Sequence, residues 1–395
     1  MAQAIEELLG DRIHGGLISV KYDHARPLEF IHTVEAGHPL PDANGESAAR
    51  RIVAMANAAD ADDLVIVLLS GGGSALWPLP TPPLTLAHKQ AVSDLLLRCG
   101  ATIHQINVVR KRLSAIKGGA LARAAFPARV VTLAISDVVG DDPETIASGP
   151  TVVDSSTCGD ALGILSHYRL LDKIPPVVRD VLETGSRSES AAKLTPDRLD
   201  KGRLQYLIVA DNGAALAAAR REAACRGYAT RLLSSHIQGF AETVAQNHAA
   251  KALEILGSGN PIPPPACLLS GGETTVTLRG DGRGGRNQQF ALAAASTIAD
   301  RPYIVLLSAG TDGTDGPTDA AGALVDHTTQ RRARAAGLDI ARSLARNDAY
   351  PFFKRLGDLI KTGPTGTNVM DLHVVLVSSP VLSGKSNACD QKDIP

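Results

Sequence analysis

The chain has 395 residues, room for two or three average domains. Its 40 Lys and Arg offset 41 Asp and Glu, which leaves neither the basic footprint of a nucleic-acid binder nor attraction to anionic membranes. Hydrophobic residues at 44% exclude wholesale disorder, and aromatics at 3% imply an aliphatic core without base-stacking platforms.

The N-terminal MAQAIEELLGDRI has acidic residues and no long apolar core, so it does not read as a signal peptide. No apolar run reaches the roughly 20 residues of a membrane helix. Cys99, Cys158, Cys225, Cys267 and Cys389 are widely spaced, with no CxxC pair to suggest zinc or a disulfide framework. A cytoplasmic, reducing setting is the expectation.

Apolar β-rich runs predict strands at 16–20, 64–70, 129–136, 205–210, 266–270, 273–279, 303–308 and 373–378. Amphipathic stretches between them predict helices at 47–59, 86–99, 114–126, 212–226, 239–256 and 286–300. This alternation predicts an α/β fold with mostly parallel sheet. Residues 183–204 are polar and aperiodic and read as a linker, and GSGNPIPPP at 257–265 marks a second break. The expected domains are 1–204 and 205–380, followed by a polar tail at 381–395.

LLSGG at 68–72 and 268–272, and LLSAG at 306–310, repeat one device: an apolar strand ending in Ser and small residues. Ligands of α/β sheets bind beyond such carboxyl ends. In the first copy, Ser70, Gly71, Gly72, Gly73 and Ser74 suggest a nest of N–H groups for phosphate or carboxylate, or otherwise a tight turn. Downstream, Arg110, Lys111 and Arg112 precede Lys117-Gly118-Gly119. These four cations in eight residues could steer an anionic substrate or hold phosphates. Arg110 and Lys111 read most simply as a solvated helix face, whereas Lys117 beside helix-breaking glycines reads as functional. Asp137, Asp141 and Asp142 follow another apolar strand and suit Mg²⁺, Asp137 foremost, or else turn chemistry.

The C-terminal half is denser. Gly272 and Glu273 end one strand, and Gly280, Gly282 and Gly285 formally match GxGxxG before a helix. The acid expected about 20 residues on in a dinucleotide fold is absent from the end of the next strand. Arg283 and Arg286 suggest direct anion contact at a helix start instead, with Asn287 beside them. Thr311, Asp312, Thr314 and Asp315 form a loop rich in oxygen ligands, and Thr365, Thr367 and Asn368 add another polar segment. Gly384-Lys385-Ser386 is not a P-loop, because Ser379 stands where the first glycine is needed.

Taken together, EAGHPLPDANG, LLSGGGSAL, INVVRKRLSAIKGG, AISDVVGDDPETIASGPTV, SGGETTVTLRGDGRGGRNQQFAL, SAGTDGTDGPTDAAGA and TGPTGTNVMD resemble the class of glycerate 2-kinases with a MOFRL C-terminal domain. The resemblance runs from Met1 to about Ser378. It implies a Rossmann-like N-terminal domain with mostly parallel sheet and a C-terminal α/β MOFRL domain, with a site in the cleft between them. It implies transfer of a phosphoryl group from ATP, with Mg²⁺, to the 2-hydroxyl of D-glycerate. Arg286, Lys117 and Asp312 are then the expected catalytic residues. Ser70, Gly71–Gly73, Ser74, Gly272, Glu273, Asn287, Thr311, Thr314 and Asn368 are the expected phosphate and substrate residues. Asp137 and Asp315 are the expected metal ligands. A monomer or homodimer, without nucleic-acid or membrane partners, is expected.

Family members begin earlier, with a strand and a GxGKA turn whose lysine is thought to be catalytic. Met1 here falls inside the helix that follows that turn, so the chain as written is expected to be a poor kinase. Two alternatives stand beside that reading: an NAD(P)H-dependent hydroxypyruvate reductase, and a non-catalytic ligand-binding homologue.

Overall fold

The computed structural model describes residues 1–192 and 202–378. The expected tail with Gly384-Lys385-Ser386, Cys389, and residues 193–201 of the expected linker lie outside the described residues. The chain forms two compact units: Met1–Ala134 with Asp141–Val209, and Ile135–Gly140 with Ala210 onward.

The first unit holds β1 (Gly16–Lys21), β2 (Ile31–Ala36), β3 (Leu64–Leu69), β4 (Arg129–Ile135) and β5 (Leu204–Ala210). β1 and β2 pair in parallel as a separate ribbon, and β4 lies between β3, its parallel partner, and β5. Val130 N–H bonds Arg203 O and Ser136 N–H bonds Ala210 O, so β5 runs the same way. The unit's helical core packs Val92, Leu96, Ile106, Val109, Leu165 and Leu182.

Capping explains where these helices start. Thr85, Thr102 and Thr157 each accept from the third N–H of a helix whose own third side chain returns the bond. The helix expected at 114–126 is instead Ile103–Arg112, followed by a short Ala120–Ala124. Gly118 and Gly119, at φ +55° and +75°, cannot be carried by a continuous helix. The expected linker begins as helix, because Pro176–Ala192 continues past residue 183.

The second unit holds β6 (Ala229–Ile237), β7 (Ala266–Gly272), β8 (Ile304–Gly310), β9 (Gly322–Asp326), β10 (Leu359–Ile360) and β11 (Asp371–Val377). Their order is β10-β9-β8-β11-β7-β6. Only the β6–β7 ladder is parallel; the last strand inserts between β7 and β8 and runs against both, and β9 and β10 turn back antiparallel. The fold is therefore mixed α/β: the first unit pairs its strands in parallel, and the second is mostly antiparallel with one parallel ladder. The run expected as a strand at 273–279 leaves the ladder after Gly272 and keeps one bridge, Thr275 to Phe240. The N–H groups of Arg279 and Gly280 go instead to the Asn347 side chain.

All seven residues of β7 are buried, as its unbroken apolar run requires of a strand covered on both faces. Helix Arg286–Thr297 is buried continuously from Asn287 to Ala295. It packs beside helix Ala241–Ser258, whose Ala245, Ala249 and Ala252 allow close approach. Among the described residues, no helix is long and apolar enough to cross a membrane.

Candidate active site

In the second unit β7 ends where β8 ends and antiparallel β11 begins, so Gly272, Gly310 and Asp371 share one edge of the sheet. Helix Arg286–Thr297 starts at that edge. Arg286 donates from Nε and Nη2 to the two oxygens of Asp371, at 2.7 and 3.0 Å, and from Nη1 to Glu273 at 2.7 Å. Asp371 is fully buried, whereas the Arg286 side chain is 34% exposed. A planar fork on a planar carboxylate fixes the guanidinium in orientation as well as position. Burial opposes the cation here, yet hydrogen bonding and the charges of Asp371 and Glu273 raise its pKa further. Arg286 is thus permanently charged and already paired.

Asp371 is itself held. Asn287 donates to it at 2.8 Å and accepts from Ser308 Oγ at 2.6 Å. With that hydroxyl proton used, His373 Nδ1, 2.9 Å from Ser308 Oγ, carries the imidazole proton, and Nε2 is a bare buried acceptor. Burial pushes His373 down to about 3. Phe290 stacks flat on this ring at 4.3 Å. Asn287, expected at the ligand, is therefore a buried strut beneath Arg286.

Asp315 departs from the expectation of a metal ligand. It is 3% exposed, and both oxygens accept from the helix start: Asn287 N–H at 3.0 Å and Gln288 N–H at 2.8 Å. Gln288 Nε2 adds a further bond at 3.0 Å. The helix has no cap from its own Gly285, so a carboxylate 28 residues away caps it. A Cβ on Gly285 would collide with Asp315. Burial, offset partly by these N–H groups, raises Asp315 to about 6. Its lone pairs are committed to the fold.

Asp137 follows β4 and accepts from Asn368 Nδ2 at 3.4 Å. Burial raises its pKa, and the charges of Glu273 and Asp312 add to the rise. Asp312 accepts from Thr314 N–H at 2.9 Å and from Thr314 Oγ1 at 3.0 Å. Thr311 turns inward, its hydroxyl donating to Met370 O at 2.6 Å and accepting from Val369 N–H. It pins the approach to β11 and is not free for a ligand. Gly272 likewise serves the fold: at φ +138° its missing side chain makes room for the Ile237 backbone. The second unit thus brings together Asp137, Glu273, Arg286, Asp312 and Asn368. Thr314 steadies Asp312.

The GxGxxG glycines have another use. Gly280 and Gly282 pack against the backbone of Arg346, and Arg283 N–H donates to Asp348 at 2.9 Å. The chain itself fills the space that a pyrophosphate would need, so this is no dinucleotide loop.

In the first unit the Ser70–Ser74 turn follows β3. Gly72 sits at φ +84°, and a Cβ there would stand 2.8 Å from Cδ2 of His38, a residue that the sequence reading passed over. Among the described residues the N–H groups of Gly71 and Gly72 meet no acceptor. Lys117 is 5% exposed and donates to Ser74 O at 2.7 Å and Ser74 Oγ at 2.6 Å. Ser74 Oγ also lies 3.0 Å from Ser148 Oγ. The expected solvated face of Arg110 and Lys111 does not exist. Lys111 is 7% exposed and paired with Glu144 and Asp154. Arg110 is partly buried, with Nε 3.3 Å from Ser93 Oγ.

Together these features define a two-unit α/β fold whose second unit sets a braced arginine among carboxylates at the ends of its central strands. Residues 1–183 match a domain of unknown function, DUF4147, and residues 266–371 match the MOFRL family. An Agrobacterium vitis protein, provisionally named a hydroxypyruvate reductase, is 44% identical over 95% of this chain and 96% of its own. The glycerate 2-kinase of Pyrococcus horikoshii is 41% identical over 96% of this chain and 85% of its own. The crystal structure of a glycerate kinase from Thermotoga maritima superposes with a TM-score of 0.87 at 39% identity, covering 95% of this chain and 88% of that one. The chain belongs to the MOFRL family of glycerate kinase homologues.

Proposed function

We propose that the protein transfers a phosphoryl group from ATP to the 2-hydroxyl of D-glycerate. The observation that carries this reading is the cluster of Arg286, Asp137, Glu273, Asp312 and Asn368 on one edge of the second unit, in a chain 41% identical to a glycerate 2-kinase. Phosphoryl transfer asks little covalent chemistry of the protein; it needs positioning and stabilisation of charge spread over phosphoryl oxygens. Arg286 supplies a fixed cation for that charge, and Asp371 keeps the fork from rotating.

Among the described residues no three His, Cys, Asp or Glu side chains form a metal cage. Mg²⁺ rarely uses one: it takes one or two carboxylates and completes its shell with water and substrate phosphate. Asp137 and Asp312 fit that demand: burial, with the charges of Glu273 and Asp312, makes the charge of Asp137 costly, and a cation relieves it. When bound, Mg²⁺ would neutralise charge on the transferring phosphate. Asp315 is excluded from that role by its cap. Asn368 and Glu273 would orient the substrate, and Lys117 with the Ser70–Ser74 turn would meet an anionic group.

The test is to supply ATP, Mg²⁺ and D-glycerate and follow the product by phosphorus NMR, which separates 2-phosphoglycerate from its 3-isomer. ATP-dependent 2-phosphoglycerate supports the reading. NADH oxidation with hydroxypyruvate and no phosphorylation would replace it with the reductase, the reading favoured by the name of the Agrobacterium relative.

A further inference from the structure

The run Arg110-Lys111-Arg112 splits in an unexpected way. Lys111 meets Glu144 and Asp154, and Arg112 meets Asp154. Arg110, one residue before them, has no carboxylate within ion-pair distance among the described residues. Two buried lysines of the same unit share that condition among the described residues. Lys89, on helix Leu86–Arg98, is 8% exposed and among the described residues reaches only Leu79 O, at 3.4 Å. Lys117 is 5% exposed and among the described residues reaches only Ser74.

The three are also close enough to repel one another. Burial first, and then the charges of Lys89 and Arg110, hold Lys117 well below the usual lysine range. Burial, then Arg110, brings Lys89 down to about 7, and Glu46 is the carboxylate acting in the other sense. That Glu46 already accepts from Arg50 at 2.7 Å. Burying cations without acids is costly, and proteins normally pair them or leave them in water. Three separate segments bring these together, beside a serine hydroxyl and two unmatched glycine N–H groups in the turn after β3. An anion placed among these cations would remove the repulsion.

We propose that Lys89, Arg110 and Lys117, with Ser74, form an oxyanion site in the first unit that takes a phosphate or carboxylate group of a ligand. Three cations against one distant carboxylate favour a dianion, hence phosphate. The site deepens the phosphoryl-transfer reading and rests on it for any part in turnover; oxyanion binding itself does not depend on that reading. Lys89 and Arg110 are its new members; Lys89 lies on a helix that neither a glycine loop nor a motif marks.

Binding is measured by calorimetry on the full chain carrying Arg286→Ala, so that the second unit's cation does not contribute. Inorganic phosphate and D-glycerate are titrated separately. Lys117→Met, Arg110→Gln and Lys89→Met are each expected to weaken phosphate at least tenfold. D-glycerate binding lost in the same variants, with phosphate unbound throughout, would keep the site and make its ligand a carboxylate. Neither anion weakened by any of the three would overturn the site. Thermal midpoints guard against misfolding. Without anion, Lys117→Met and Lys89→Met should match or exceed the parent, because each removes a buried repulsive charge. With phosphate, the parent alone should rise. A lower midpoint in both variants, equal with and without phosphate, would make these lysines structural and overturn the proposal. If the unmutated chain fails to phosphorylate D-glycerate while the Lys117-dependent phosphate binding persists, the kinase reading falls and the oxyanion site stands.

Discussion

Arg286 in the second unit and the Lys89, Arg110 and Lys117 group in the first are cations set in opposite surroundings. In the second, Arg286 is satisfied before any ligand arrives: a bidentate Asp371, a Glu273, and beneath them Asn287, Ser308 and His373. In the first, Lys89, Arg110 and Lys117 have backbone oxygens and hydroxyls but no carboxylate within ion-pair distance among the described residues. The first arrangement gives orientation, since a paired fork cannot wander. The second gives appetite, since its best partner is not in the chain. An enzyme that must hold an anion and stabilise developing charge has use for both.

Removing the satisfied cation should have the largest consequence. Arg286→Ala is expected to lower kcat about a hundred- to a thousand-fold. It should also destabilise the fold by about 3 kcal/mol, because Asp371 keeps a buried charge without its partner. Arg286→Lys separates the two effects: it restores much of the stability but not the fork, so turnover stays low. Calorimetric unfolding and steady-state rates on both variants read this directly, and a wild-type kcat in Arg286→Ala would remove Arg286 from the site.

The unsatisfied side predicts a pH effect. Unfolded, Lys89 keeps its proton to about 10.5; folded, it releases it near 7. Between those values the unfolded chain binds more protons, so stability should rise with pH from about 7 to 10.5, by roughly 2–4 kcal/mol for this group. Glu46, Arg110 and Lys117 face it and modulate the size, not the sign. Denaturant titrations across that range should show the rise, and Lys89→Met should flatten it. An unchanged slope in Lys89→Met would show that Lys89 is not the source.

Asp312→Asn should cost about tenfold in turnover and raise the Mg²⁺ concentration needed for half-maximal rate, because one of two candidate carboxylates is lost. An unchanged Mg²⁺ dependence would mark its loop as structural. The smallest effect marks the baseline. Asp281 pairs with Arg346 at 2.8 Å, but their side chains are 85% and 48% exposed. Asp281→Asn should shift stability by less than about 1 kcal/mol. A much larger loss would mean that exposed pairs matter here as much as buried ones, and the contrast between the units would lose its meaning.

Much of this was legible in the sequence. β7 could be read because LLSGG closes an unbroken apolar run, and Arg286 because it opens a helix among glycines. Helix Ile103–Arg112 was missed because its capping box, Thr102 with Gln105, precedes a polar stretch with few apolar repeats. β6 and β10 were missed because one mixes serines and histidine into an edge and the other has two residues. Asp315 was misread because an oxygen-rich loop looks alike whether its lone pairs face a metal or a helix start. Lys89 left no trace, and Arg110 was visible only as part of a charge run, since spacing along a helix shows which charges lie near each other and not which of them find acids. Asp371, at the head of an alternating strand, was invisible as the brace of Arg286 for the same reason.

The short segment Ile135–Gly140 belongs to the second unit although both of its flanks belong to the first. It carries Asp137 to Asn368. The chain therefore crosses between the units three times, and the second cannot be lifted out as one continuous cassette. A recombination event or a laboratory chimera that joins a foreign sequence at Ala210 would inherit Arg286, Asp312 and Asn368 but leave Asp137 behind. Lineages assembled by swapping whole modules would have to transplant both pieces at once, which ties the inheritance of the two halves together more tightly than two adjacent family matches suggest.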